Sequence, residues 1–194
     1  MAQFYAGFGD AVLWGAIARQ IAAAQGRSLS QNARAFALLN MALSDAGVAL
    51  VETKYHYNFW RPETAIRAAG TDGNPTTDPD PSFVPFITTP CHPSYPSGHA
   101  TTSYAAREVL ERIFGRRDHS ITLSNAAVPD VILKYTSLKE ITDDIDDARV
   151  YGGIHFRFDQ EAGAKQGRRL GAYVHKHSLG RTRGCLCEDE ERDE

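Results

Sequence analysis

An all-α domain is what this sequence predicts, and three observations carry that prediction. Several stretches repeat apolar residues at spacings of three and four, glycines or prolines stop them, and no stretch sustains the alternation of a strand. With 194 residues, 42% of them hydrophobic, the chain can bury one sizeable core. The expected division is one helical domain over residues 1–180 and a charged tail over residues 181–194.

The first helix is expected over residues 10–25, Ala-rich and amphipathic, with Asp10 as its cap and Gly26 at its end. Ser30 is the candidate N-cap of a second helix over 31–59, whose Phe36, Leu39, Leu43, Gly47 and Leu50 form one inward face. Pro62 ends or kinks it, and residues 63–69 suit one more short helical stretch. Residues 70–97 hold seven prolines, which makes them a long, stiff loop rather than a disordered one. A helix follows over 98–114, closed by Gly115. Residues 116–136 are poorly patterned. Residues 137–148 suit a helix with an acidic face, and Gly152 and Gly153 break the chain. The last helix is expected over 154–176. Its Ala162, Gly163, Gly167 and Gly171 make a small-residue stripe that lets another helix approach closely.

The formal charge of -3 offers no basic face of the kind nucleic acid selects. No membrane span and no signal peptide are expected, so the cytoplasm is the default location. Cys91, Cys185 and Cys187 are too few and too oddly spaced for a disulfide framework. Cys185-Leu-Cys187 is too short for a usual zinc knuckle.

Three short stretches carry chemistry: Lys54–Pro62 (KYHYNFWRP), Pro96–His99 (PSGH) and Arg149–Asp159 (RVYGGIHFRFD). Lys54 and Arg61, seven apart on a helix, share a face. They read either as a solvated basic stripe or as paired cations in the buried-looking context of the aromatic residues between them. Ser97 and Gly98 sit where a rigid loop feeds a helix. There they either cap it or bind an anion at its positive end. His99 falls in the first turn, beside any such anion, or is a structural His bonded to a loop carbonyl. His155 and Asp159, four apart, read as a surface pair or as an oriented imidazole whose other nitrogen is free to attack or coordinate. Gly152 and Gly153 let Arg149 turn toward the same point. Jointly these residues form a donor set for one tetrahedral oxyanion.

The same residues resemble the signature of the superfamily that unites vanadium-dependent haloperoxidases with type 2 phosphatidic acid phosphatases: K-x6-RP, PSGH, SR-x5-H-x3-D. Only Ala148 departs, where the signature has Ser. The flanking text resembles the bacterial haloperoxidase branch. The resemblance implies a helical bundle of the acid phosphatase/vanadium haloperoxidase type, with vanadate as cofactor and phosphate able to occupy the same site. It implies that His155 bonds the central atom of vanadate as metal ligand, or attacks phosphorus in a phosphatase. Lys54, Arg61, Ser97, the Gly98 N–H and Arg149 would hold the oxygens, and His99 would be the acid/base. His92, seven residues before His99, stands where the family's algal bromoperoxidases carry His. It is a candidate for tuning toward bromide, or else a loop His before Pro93. An acidic residue that contacts the two arginines in the larger enzymes lies upstream of the Lys, and Asp45 is the candidate here. Family members are longer ahead of the Lys, so the chain reads as a natural minimal domain, as a half completed by another subunit such as a second copy, or as a truncated product.

The reaction implied is oxidation of halide by hydrogen peroxide with halogenation of an organic acceptor. The alternatives are an acid phosphatase that hydrolyses a phosphate ester through a phosphohistidine at His155, and a non-catalytic oxyanion-binding domain.

Overall fold

A computed structural model describes residues 1–180; the expectations for the tail and for Cys185 and Cys187 lie outside the described residues. Seven helices dominate: α1 (Ala2–Ala6), α2 (Asp10–Ala24), α3 (Leu29–Tyr57), α4 (Pro62–Arg67), α5 (Gly98–Phe114), α6 (Leu138–Tyr151) and α7 (Arg157–His177). The helical prediction therefore holds, with one correction. Residues 116–136 contain a small antiparallel hairpin, β1 (Ile121–Ser124) against β2 (Ile132–Tyr135), with Ile121 opposite Tyr135. Each strand has only four residues, too few for alternation to stand out, but Ile121 and Leu123 bury one face on the core.

Helix α3 starts on Ser28 rather than Ser30: the Ser28 hydroxyl accepts from the Gln31 N–H, and the Gln31 side chain accepts from the Ser28 N–H. It stops at Asn58, whose φ of 45° is left-handed, before Pro62 is reached. Lys54 and Arg61 thus do not share a helix. Arg61 is the N-cap residue of α4, with Pro62 in its first turn. Ser137 and Glu140 make the same reciprocal cap on α6. By length and composition alone the stretch Leu29–Arg67 is apolar enough to cross a bilayer, against the expectation from sequence. In the fold, α3 packs on α2, α5 and α7.

Helix α5 is the central element. Its Ala105, Ala106, Val109 and Leu110 are fully buried between α2, α3, α6 and α7. The closest approach is with α7, and the predicted stripe explains it. A Cβ on Gly163 would stand 2.7 Å from the Ser97 carbonyl oxygen, one on Gly171 2.5 Å from that of Ala105, and one on Gly167 would overlap that of Thr101. Bare backbone is what lets the two helices touch, so the PSGH turn at the start of α5 lies directly against the start of α7.

Core packing continues through Trp14, Ile17 and Ile21 of α2, Leu39 of α3, and Ile141 and Ile145 of α6. Trp14 Nε1 donates to Ser103 Oγ at 3.0 Å, which satisfies both buried groups.

Candidate active site

The loop before α5 and the turn after α6 deliver the site. Lys54, His92, Gly98, His99, Arg149 and His155 line one cavity of about 220 Å³, together with Asp10, Leu50 and Pro90. Arg61, Ser97 and Asp159 stand immediately behind this lining. A second cavity of about 520 Å³ shares Pro90, His99 and Arg149 with it and adds Phe86 and Ile87. The three stretches therefore converge.

His155 precedes α7 rather than lying within it, so its pairing with Asp159 spans a turn and the first helical residues. Its Nδ1 donates to Asp159 Oδ2 at 2.8 Å. Arg61 Nη1 donates to His155 Nε2 at 3.0 Å. A guanidinium only donates, so Nε2 must hold a lone pair and Nδ1 the proton. Burial pushes the imidazole down to about 3, with Arg61 and Lys54 adding repulsion against the pull of Asp159. His155 is thus a neutral imidazole with a defined nucleophilic nitrogen.

Asp159 Oδ2 also accepts from the Phe156 N–H at 3.1 Å and from Ser94 Oγ at 2.5 Å. The Asp159 carbonyl accepts from the Ser97 N–H at 3.0 Å, so the PSGH turn and the His155 turn are hydrogen-bonded to each other. Ser97 caps α5 through the Ala100 N–H at 3.4 Å. The Gly98 and His99 N–H groups lie in the first turn, where an α-helix provides no acceptor of its own.

Lys54 spends its three protons on the loop: Nζ donates to the carbonyls of Pro93, Ser94 and Pro96 at 2.7, 2.9 and 2.6 Å. Burial and the neighbouring Arg61 lower this ammonium to about 7, while three carbonyl acceptors favour its charged form. Arg61 Nε and Nη2 bind the carbonyl and Nδ1 of His92, at 2.9 and 3.0 Å. Burial depresses His92, and Lys54, Arg61 and Arg149 depress it further.

Arg149 is 4% exposed, and its Nε and Nη1 are buried with no partner among the described residues. Burial lowers it to about 10, against the pull of Asp10. His99 Nε2 is likewise buried and unpartnered, 4.0 Å from Asp10 Oδ1. Burial lowers His99, and Asp10 opposes that shift.

Asp10, not Asp45, is the acid that lines the cavity, and its charge acts on Arg149 and His99. Asp45 is exposed on α3, so the expectation for it is corrected. Asp10 is not a cap either: Gly9 holds that position, and the Asp10 carboxylate accepts from Thr102 Oγ1 at 2.7 Å. The only signal in the sequence was an acid at the start of a helix.

A buried arginine with two idle donors beside a neutral imidazole, a lysine and a second arginine is a receptor for an oxyanion. No group of three or more His, Cys, Asp or Glu suited to a bare cation occurs among the described residues. The donor set fits vanadate: Arg149 would supply unspent N–H groups, the first turn of α5 would supply backbone N–H groups, and His155 Nε2 would supply its one lone pair by releasing the Arg61 Nη1 donor it now accepts from.

The family described as the VCPO second helical-bundle domain matches residues 34–184. This chain belongs to that family. Vanadium chloroperoxidase of Curvularia inaequalis is 36% identical over 95 residues, 44% of this chain and 15% of that protein. The crystal structure of a bacterial vanadium-dependent iodoperoxidase superposes with a TM-score of 0.75 at 33% identity, over 87% of this chain and 39% of that one. A holo-type bacterial vanadium-dependent chloroperoxidase shares the fold, with a TM-score of 0.56 at 21% identity over 70% of this chain and 34% of that one. This member of the VCPO family therefore spans well under half the length of these relatives.

Proposed function

We propose that this VCPO-family chain binds vanadate and acts as a haloperoxidase, oxidising halide with hydrogen peroxide and passing the halogen to an organic acceptor. The unpartnered Nε and Nη1 of buried Arg149 carry the reading, because an uncompensated buried guanidinium calls for an anion. Vanadate, when bound, supplies Lewis-acid activation of peroxide without a change of metal oxidation state.

The chain's own residues supply the rest. His155 Nε2, kept unprotonated by the Nδ1–H bond to Asp159, is the ligand atom. Arg149, Arg61, Lys54, Ser97 and the Gly98 N–H are the groups for the oxygens. Lys54 has its three protons on loop carbonyls, so it contributes field and shape, while Arg61 keeps one N–H beyond its bonds to His92, Ile154 and His155 as a direct donor. His99 Nε2, facing the cavity beside Asp10, gives and takes the proton on peroxide or on the departing oxygen. His92 bonded to Arg61 favours the bromide-type reading, since it adds a polarisable imidazole to the arginine beside His155.

Incubating the protein with orthovanadate, hydrogen peroxide and bromide while following bromination of a phenolic dye tests the proposal. Vanadate-dependent bromination supports it. Turnover of a phosphate ester that vanadate inhibits, without bromination, would replace it with the phosphatase reading. Anion binding without either reaction would leave an oxyanion-binding domain. Light scattering in the same buffer checks the homodimer proposed from sequence.

A further inference from the structure

Ser94 is fully buried in the loop before PSGH, and no other loop side chain bonds to Asp159 among the described residues. Its Oγ donates to Asp159 Oδ2 at 2.5 Å and stands 3.3 Å from His155 Nδ1. Its carbonyl accepts from Lys54 Nζ at 2.9 Å, and its N–H donates to the Phe59 carbonyl at 2.9 Å. The backbone is thus clamped on both sides, so the hydroxyl is held in place and not free to swing.

The carboxylate it meets is unevenly loaded. Asp159 Oδ2 accepts three donors, and Oδ1 has no partner among the described residues. Of those three, the Phe156 N–H belongs to the same turn as Asp159, and His155 Nδ1–H is the group being aimed. Ser94 is the one donor that comes from a different part of the fold. Without it, the carboxylate can rotate, the Nδ1–H bond loses its fixed direction, and the imidazole can turn off the Arg61 Nη1 donor that keeps Nε2 unprotonated.

We infer that Ser94 is a positioning residue for His155: it pins the Asp159 carboxylate so that the imidazole keeps its proton on Nδ1 and presents Nε2 to the bound anion, while its carbonyl places Lys54. This rests on the proposed oxyanion site for what Nε2 meets, and on hydrogen-bond geometry alone for the tautomer. A hydroxyl that only satisfied buried groups would affect stability and leave the tautomer as it is.

The test is two-bond proton–nitrogen NMR of the histidines in the vanadate-free protein at constant pH, with orthovanadate affinity read by calorimetry. Wild-type protein is expected to show His155 as the Nδ1–H form alone. Ser94→Ala should show mixed tautomers and bind orthovanadate at least tenfold more weakly. Ser94→Cys, nearly the same size and a weaker donor, should fall between them, and it serves if the alanine variant does not fold. An Nε2–H tautomer in wild type overturns the inference. So does wild-type tautomer and affinity in a folded variant. Neither readout needs turnover, so a wild type that fails to brominate counts against the proposed function and not against Ser94.

Discussion

Asp10 Oδ1 lies 4.0 Å from His99 Nε2, joining the start of α2 to the start of α5 across the cavity. Thr102 Oγ1 holds the other carboxylate oxygen at 2.7 Å, so Oδ1 is turned toward the imidazole. Asp10 raises the pKa of His99 against the effect of burial. Replacing it by Asp10→Asn removes that opposing pull, so the imidazolium is lost at lower pH. With protonated His99 as the acid, the alkaline limb of the pH–rate profile should move to lower pH and turnover at neutral pH should fall. Profiles of both proteins with the same halide check this, and an unmoved limb would show that Asp10 does not act on His99.

His155→Ala removes the imidazole nitrogen assigned to the central atom of the oxyanion. Vanadate-dependent turnover should fall by about a thousandfold or more, whichever reaction the protein catalyses. The fold should survive, since His155 bonds mainly to Asp159 and Arg61 rather than to the core. Retained activity in a folded variant, with circular dichroism as the control, would mean that the site has been misplaced.

Asp146 gives a stability prediction away from the cavity. Burial raises its carboxyl from the ordinary 3.8 to about 6, although Tyr104 donates to it at 2.9 Å. The folded state therefore keeps this proton to higher pH than the unfolded chain does. Its contribution to stability is full below about 4 and is lost as pH rises through about 6. Asp146→Asn cannot ionise, so it should melt higher than wild type at pH near 7.5, by about 1–2 kcal/mol, with the margin vanishing toward acid. Thermal melts at the two pH values decide it; an equal margin at both would show that the carboxyl is not strained in the fold.

Much of this arrangement is legible in the sequence because it depends on local chemistry. The helix bounds of α5 follow from Ser97 as cap and Gly115 as stop, and both hold. The three stretches converge because the stripe on α7 draws the PSGH turn onto the His155 turn. What the sequence hid is non-local. Asp10 reads as a helix-start acid, and nothing in the order of residues pairs it with His99 or Arg149. Ser94 reads as one more loop serine among prolines. The hairpin has too few residues for its alternation to outweigh its surroundings, and α1 is a single short turn anchored by Phe4 and Tyr5.

Gly167 tests how far packing alone controls the site. It sits midway along the contact between α7 and α5, where a Cβ would overlap the Thr101 carbonyl and reach within 2.9 Å of the Ala105 N. Both are backbone atoms inside α5, so no side-chain rotation can make room. In an isolated helix Gly→Ala stabilises by up to about 1 kcal/mol. Here overpacking should outweigh that gain and leave Gly167→Ala destabilised by about 1–3 kcal/mol. Because α5 must shift to accept the methyl, its first turn moves with it, and Gly98 and His99 move relative to His155. Oxyanion affinity should therefore fall along with stability, although Gly167 touches none of the site residues. A denaturant titration paired with orthovanadate calorimetry measures both. Wild-type stability would show that the helices have slack at this contact, and lost stability with unchanged affinity would show that the site holds its shape independently of the stripe.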